Sequence, residues 1–137
     1  THLTPNLPEA AALCGSAPAE DRAGMTSQAT ALRALGPRWV VLKGGHLGGA
    51  DSPDLLAGPD ESTWLEAART DTSNTHGTGC TLSAALAAEL GKGQSTVPAL
   101  RAAKAYLSGA VAAADQLDVG TGHGPIHHFH ALWRITD

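Results

Sequence analysis

The sequence predicts an α/β fold, and three observations point there. Trp39-Val40-Val41-Leu42 is a continuous apolar run, the pattern of a strand buried on both faces, as in a parallel sheet. Residues 52–56 and 62–67 flank the turn signal Gly58-Pro59-Asp60 and read as a hairpin. Helical stretches alternate with these strands, and one of them opens directly from a Gly- and Thr-rich loop.

Taken in order, His2-Leu3-Thr4 reads as the end of a strand, since Pro5 keeps Thr4 out of helical geometry. Residues 7–14 predict a short helix, with Asn6 as its cap and Pro8 in its first turn. A second helix is expected over 19–35, where Met25, Ala29, Leu32 and Leu35 fall near one face and Gly36-Pro37 stops the run. The buried strand covers 38–43 and ends at Gly44-Gly45. After the hairpin, the loop 72–79 leads into a helix over 81–90, which Gly91 and Gly93 end. Ser95-Thr96-Val97-Pro98 opens a long helix running to about Leu117, with Pro98 tolerable in the first turn. The tail, 120–137, is rich in Gly and His and closes on an apolar stripe. No repeat or linker divides the chain, so residues 1–137 are expected to be one domain or a piece of one. The abrupt start on a strand end, with no initiator Met and no preceding helix, reads as a fragment, processed product or subunit rather than a whole enzyme.

Composition narrows the function classes. Aromatic residues are few, so the core must come from Ala, Val and Leu. The net charge of −4 is mild, and Lys and Arg occur singly, as at Arg22, Lys43, Arg69 and Lys104. That pattern lacks the basic stripe nucleic-acid binding requires. No apolar run approaches a membrane span, and the first residues lack the regions of a signal peptide. Two cysteines, Cys14 and Cys80, are too few for a secreted disulfide framework, which makes a reducing cytoplasm the expected compartment.

The strongest local signal is Asn74-Thr75-His76-Gly77-Thr78-Gly79-Cys80-Thr81. Its glycines let the backbone approach a ligand closely, and a helix start adds unsatisfied N–H donors and the positive end of a dipole. Together these suit a phosphoryl group in transit, although a Gly-rich turn before a helix is often only a tight turn. No Gly-Lys-Ser/Thr follows, so this is not a Walker A loop. A cysteine at a helix N-terminus is a candidate base or nucleophile. Cys80 stands there, whereas Cys14, on an Ala-rich helix face, reads as a small buried hydrophobe.

Residues 75–84, Thr-His-Gly-Thr-Gly-Cys-Thr-Leu-Ser-Ala, are similar to the anion-hole segment of the phosphomethylpyrimidine kinases, members of the ribokinase-like superfamily. Most other ribokinase-like enzymes carry Asp where this chain has Cys80; in the phosphomethylpyrimidine kinases the position is Cys and acts as catalytic base. Three further segments resemble the family in the right order. Thr4-Pro5-Asn6-Leu7-Pro8-Glu9-Ala10 looks like its Asn-x-x-Glu segment. Leu42-Lys43-Gly44-Gly45-His46 looks like its phosphate-contacting strand end, and Gly124-Pro125-Ile126-His127-His128-Phe129-His130 its C-terminal signature.

The resemblance implies the C-terminal, nucleotide-binding half of a ribokinase-like three-layer α/β/α sandwich with a mostly parallel sheet. It implies use of ATP and Mg²⁺ to phosphorylate hydroxymethylpyrimidine and then its monophosphate, in thiamine biosynthesis. Cys80 would be the base, and the backbone of Gly77, Thr78 and Gly79 the anion cradle. Lys43 would clamp phosphate, at the strand end where open α/β sheets bind ligands. Asn6 and Glu9 would hold Mg²⁺ through waters, though by spacing alone they also form a capping box. A pyridoxal kinase of the same superfamily, and a non-catalytic nucleotide-binding fragment or subunit, are the rival readings. The expected partners are the pyrimidine, ATP, and a missing N-terminal half or partner chain, with a homodimer when intact. Four histidines, His123, His127, His128 and His130, lack accompanying carboxylates or cysteines and are expected to pack the tail near the nucleotide pocket rather than bind metal.

Overall fold

The computed structural model describes residues 1–133. By its contacts the chain divides into two compact units, Thr1–Arg69 and the residues from Thr70 onward.

The first unit is a four-stranded mixed sheet with two helices. Strand β1 (His2–Leu3) leads to α1 (Leu7–Cys14) and α2 (Arg22–Ala34), then β2 (Trp39–Lys43), β3 (Asp54–Ala57) and β4 (Ser62–Leu65), in the spatial order β1-β2-β3-β4. β1 runs parallel to β2, while β2–β3 and β3–β4 are antiparallel. The central strand is therefore buried on both faces, as its apolar run predicts, but only one of its neighbours is parallel. The reason is local: β3 and β4 are the two arms of the predicted hairpin, and the hairpin folds straight back onto β2. Val40 and Leu42 pair with Ala57 and Leu55, putting all four on one face. Against them pack Leu7 and Ala10 of α1 and Met25, Ala29 and Leu32 of α2. Val41 and Leu56, on the opposite face, are fully buried too.

Helix limits follow their caps. α1 starts at the predicted residue because Asn6 accepts from the Glu9 N–H and Glu9 accepts from the Asn6 N–H, a reciprocal capping box. It ends on Gly15 in the left-handed region, at φ 63°. α2 starts three residues later than the sequence suggests, because Asp21 accepts from the Gly24 N–H and caps it there. Leu35 falls beyond its last turn and is 60% exposed, not part of the apolar face.

The second unit pairs α3 (Thr78–Gly91) with α4 (Thr96–Ala112), followed by a 3-10 turn (Ala114–Gln116) and an irregular tail. Leu82 and Leu86 of α3 and Ala99, Leu100 and Ala103 of α4 are buried. Alanines on α4 leave room for close helix approach. No helix among the described residues is long and apolar enough to cross a membrane.

Candidate active site

In the first unit the structure brings together three residues singled out by sequence. The parallel register that pairs His2 with Trp39 and Leu3 with Val40 continues as a bridge between Asn6 and Lys43. The Lys43 N–H donates to Pro5 O at 2.9 Å, sealing that bridge. Asn6 and Lys43 thus lie side by side at the C-terminal ends of adjacent parallel strands, the edge of an α/β sheet where ligands bind. Glu9 joins them through the capping box, its Oε2 2.7 Å from the Asn6 nitrogen.

That box also tests the fit to a cation. Asn6 Oδ1 and Glu9 Oε2 are each engaged by a backbone N–H, so the pair has little inner-sphere capacity left. Glu9 is exposed, and its carboxylate still faces water. No group of three or more His, Cys, Asp or Glu able to hold a metal directly occurs among the described residues. The donor set fits Mg²⁺ held through its waters and does not fit a direct protein cage. The four tail histidines form no such group either.

Beyond Lys43 the chain leaves the sheet through Gly44. Asp54, almost wholly buried, accepts from the Gly44 N–H at 3.0 Å. A Cβ on Gly44 would overlap Pro53 O, so only glycine lets the chain pass there. Sequence reasoning assigned Asp54 to a hairpin strand and missed this contact; an acidic residue opening an apolar strand was the available signal.

In the second unit, α3 begins at Thr78 rather than at Thr81. Gly77, at φ 86°, turns the chain directly into the helix. Thr78, Gly79 and Cys80 therefore form the first helical turn instead of the end of a loop. Among the described residues no side chain caps this turn. The Thr81 N–H bonds to Gly77 O and the Thr78 N–H makes a long contact to Thr75 O, whereas the N–H groups of Gly79 and Cys80 have no partner among the described residues. Two backbone donors and the positive helix end thus face outward at one point. Cys80 is exposed beside them.

The tail holds the loop that precedes this turn. Asn74 Oδ1 accepts from the Gly124 N–H at 3.0 Å, and Asn74 Nδ2 donates to Asp115 at 2.9 Å. Thr72 also donates to Asp115, and the His76 N–H donates to Gly124 O. Asp115 was not singled out from sequence, because its partners lie about forty residues away in the chain. Along α3 and α4 runs a groove of about 610 Å³, lined by Gly77, Cys80, Ala84, Ala103, Tyr106 and His128 among others. Tyr106 donates to His128 O at 2.8 Å, fixing the tail at the rim.

Comparison with known proteins fits this geometry to a family. The phosphomethylpyrimidine kinase family matches residues 1–127. The chain belongs to that family. The hydroxymethylpyrimidine/phosphomethylpyrimidine kinase of Rhizobium meliloti is 52% identical over 96% of this chain and 50% of its own length. The kinase of the same description from Escherichia coli is 49% identical over 96% of this chain and 49% of its own. Among solved structures, the pyridoxal kinase of Staphylococcus aureus in complex with AMP-PCP superimposes with a TM-score of 0.90 at 32% identity, covering 98% of this chain and 49% of that one. The fold is accordingly ribokinase-like, and the chain spans about half the length of the curated relatives it matches.

Proposed function

We propose that this member of the phosphomethylpyrimidine kinase family is the nucleotide-handling half of an ATP-dependent kinase of thiamine biosynthesis, phosphorylating hydroxymethylpyrimidine and then its monophosphate. The observation that carries the reading is the first turn of α3, where the Gly79 and Cys80 N–H groups have no partner among the described residues and lie beside an exposed thiol. Negative charge develops on the phosphoryl oxygens during transfer, and preorganised N–H donors stabilise it there. Gly77, Thr78 and Gly79 shape this cradle, and Cys80 Sγ takes the proton from the attacking hydroxyl or phosphate oxygen. The α3–α4 groove has a volume within the usual range for ligand pockets and an apolar, alanine-rich wall, which suits a flat nucleobase.

The first unit adds a cation of its own. The Lys43 ammonium, at the strand end, clamps phosphate, while Asn6 and Glu9 orient the waters of Mg²⁺. When bound, Mg²⁺ neutralises phosphate charge and links phosphate oxygens. The cytoplasm, with its ATP supply and reduced thiols, is the matching compartment.

A pyridoxal kinase activity is the second reading, favoured by the close likeness to the S. aureus pyridoxal kinase. Cys80 leans toward the pyrimidine. The deciding experiment is ATP consumption by this chain completed with the N-terminal half of the R. meliloti relative, offering hydroxymethylpyrimidine phosphate or pyridoxal as acceptor. Turnover of the pyrimidine phosphate is expected. Turnover confined to pyridoxal would move the activity to the second reading, and silence with both would leave a non-catalytic nucleotide-binding module.

A further inference from the structure

The segment after Lys43, Gly-Gly-His-Leu-Gly-Gly-Ala-Asp, carries four glycines in eight residues; Leu47 packs against the core and its N–H bonds to Gly44 O. One side chain binds the segment along its length. Arg69 Nε donates to Gly49 O at 3.1 Å, Nη1 to Gly45 O at 2.9 Å, and Nη2 to Leu47 O at 2.7 Å and Asp51 O at 3.3 Å. Its own N–H donates to Ala50 O at 2.8 Å. Arg69 therefore gathers four carbonyls from seven consecutive residues onto one planar fork, and no carboxylate pairs with it among the described residues.

We infer that Arg69 is a positioning residue that sets the path of the loop leaving Lys43, and so fixes the strand end against which phosphate is clamped. The role rests on the nucleotide reading above, but its mechanical part does not. Geometry explains why arginine is required. The fork presents five donors in fixed directions, whereas a lysine is a point charge that cannot reach carbonyls on both sides at once. Asp54 holds the loop's entry through the Gly44 N–H, and the Ser52 N–H holds its exit on Ala67 O. Between those two points Arg69 supplies the side-chain bonds that order the chain.

The test compares Arg69→Ala and Arg69→Lys in the 137-residue chain, with amide hydrogen exchange over 45–51 and AMP-PCP binding as two readouts. Each variant should speed exchange at Leu47, whose N–H bonds to Gly44 O, about tenfold or more while leaving exchange in α3 and α4 unchanged. Each should also weaken AMP-PCP binding, and added methylguanidinium should restore both properties in the alanine variant. Unchanged exchange in either variant would overturn the staple. So would recovery by lysine alone, which would reduce Arg69 to a charge. Faster exchange with undiminished AMP-PCP affinity would overturn the positioning role. A parent chain that protects the Leu47 amide yet binds no AMP-PCP would instead count against the nucleotide reading, and would remove the phosphate half of this inference with it.

Discussion

At the scale of single residues, the candidate site is built from atoms that have structural duties as well. Asn6 and Glu9 close a capping box, so their oxygens are oriented before any cation arrives. Cys80 carries no such duty among the described residues: it is an exposed free cysteine in the first turn of α3. Replacing it should therefore test chemistry rather than stability. In the completed enzyme, Cys80→Ala is expected to lower kcat by about 100-fold or more, the usual contribution of a positioned base. AMP-PCP affinity should stay near that of the parent, because the N–H donors of the turn are backbone groups and survive the change. Steady-state kinetics beside a binding titration separates the two quantities. An unchanged kcat would remove Cys80 from the chemistry.

At the scale of elements, the sequence was most legible where a local signal decides the geometry. α1 lies where its cap and proline place it, and the hairpin forms at its turn. Legibility failed where a distant partner decides. α3 starts three residues early because Gly77 adopts a left-handed turn, and that turn is framed by a loop tied to the tail. Asp115 and Asn74 meet only after folding, so no spacing rule reveals them. The same holds for Arg69 and the carbonyls it gathers. The tail link is open to test through Gly124, where a Cβ would overlap the Asn74 side-chain oxygen. Gly124→Ala should displace Asn74, break its bond to the Gly124 N–H, and cost about 1–3 kcal/mol of stability, as overpacking usually does. Thermal unfolding reports that loss, and AMP-PCP binding should weaken with it. A variant as stable as its parent would show that the loop adjusts without the tail.

At the scale of the whole molecule, the question is what a chain spanning half the length of its relatives can do alone. Its relatives are about twice as long, and the sheet of the first unit ends at β1, a strand of two residues with only one neighbour among the described strands. Open strand edges pair readily with other chains. In the second unit Val119, Phe129, Leu132 and Trp133 are all at least half exposed, with Phe129 and Trp133 stacked on each other, an apolar surface that water solvates poorly. Both features favour association, either with an N-terminal half or with a second copy. No residue that the sequence or the structure singles out, moreover, forms a pocket for the proposed pyrimidine acceptor. The 137-residue chain is thus expected to elute from size-exclusion chromatography with light scattering as an associated species, and to consume no ATP with either acceptor. Supplying the N-terminal half of the R. meliloti relative should shift the elution to a defined complex and switch on turnover together. A well-behaved monomer that turns over ATP by itself would refute this account, because catalysis would then need no residues beyond those of this chain.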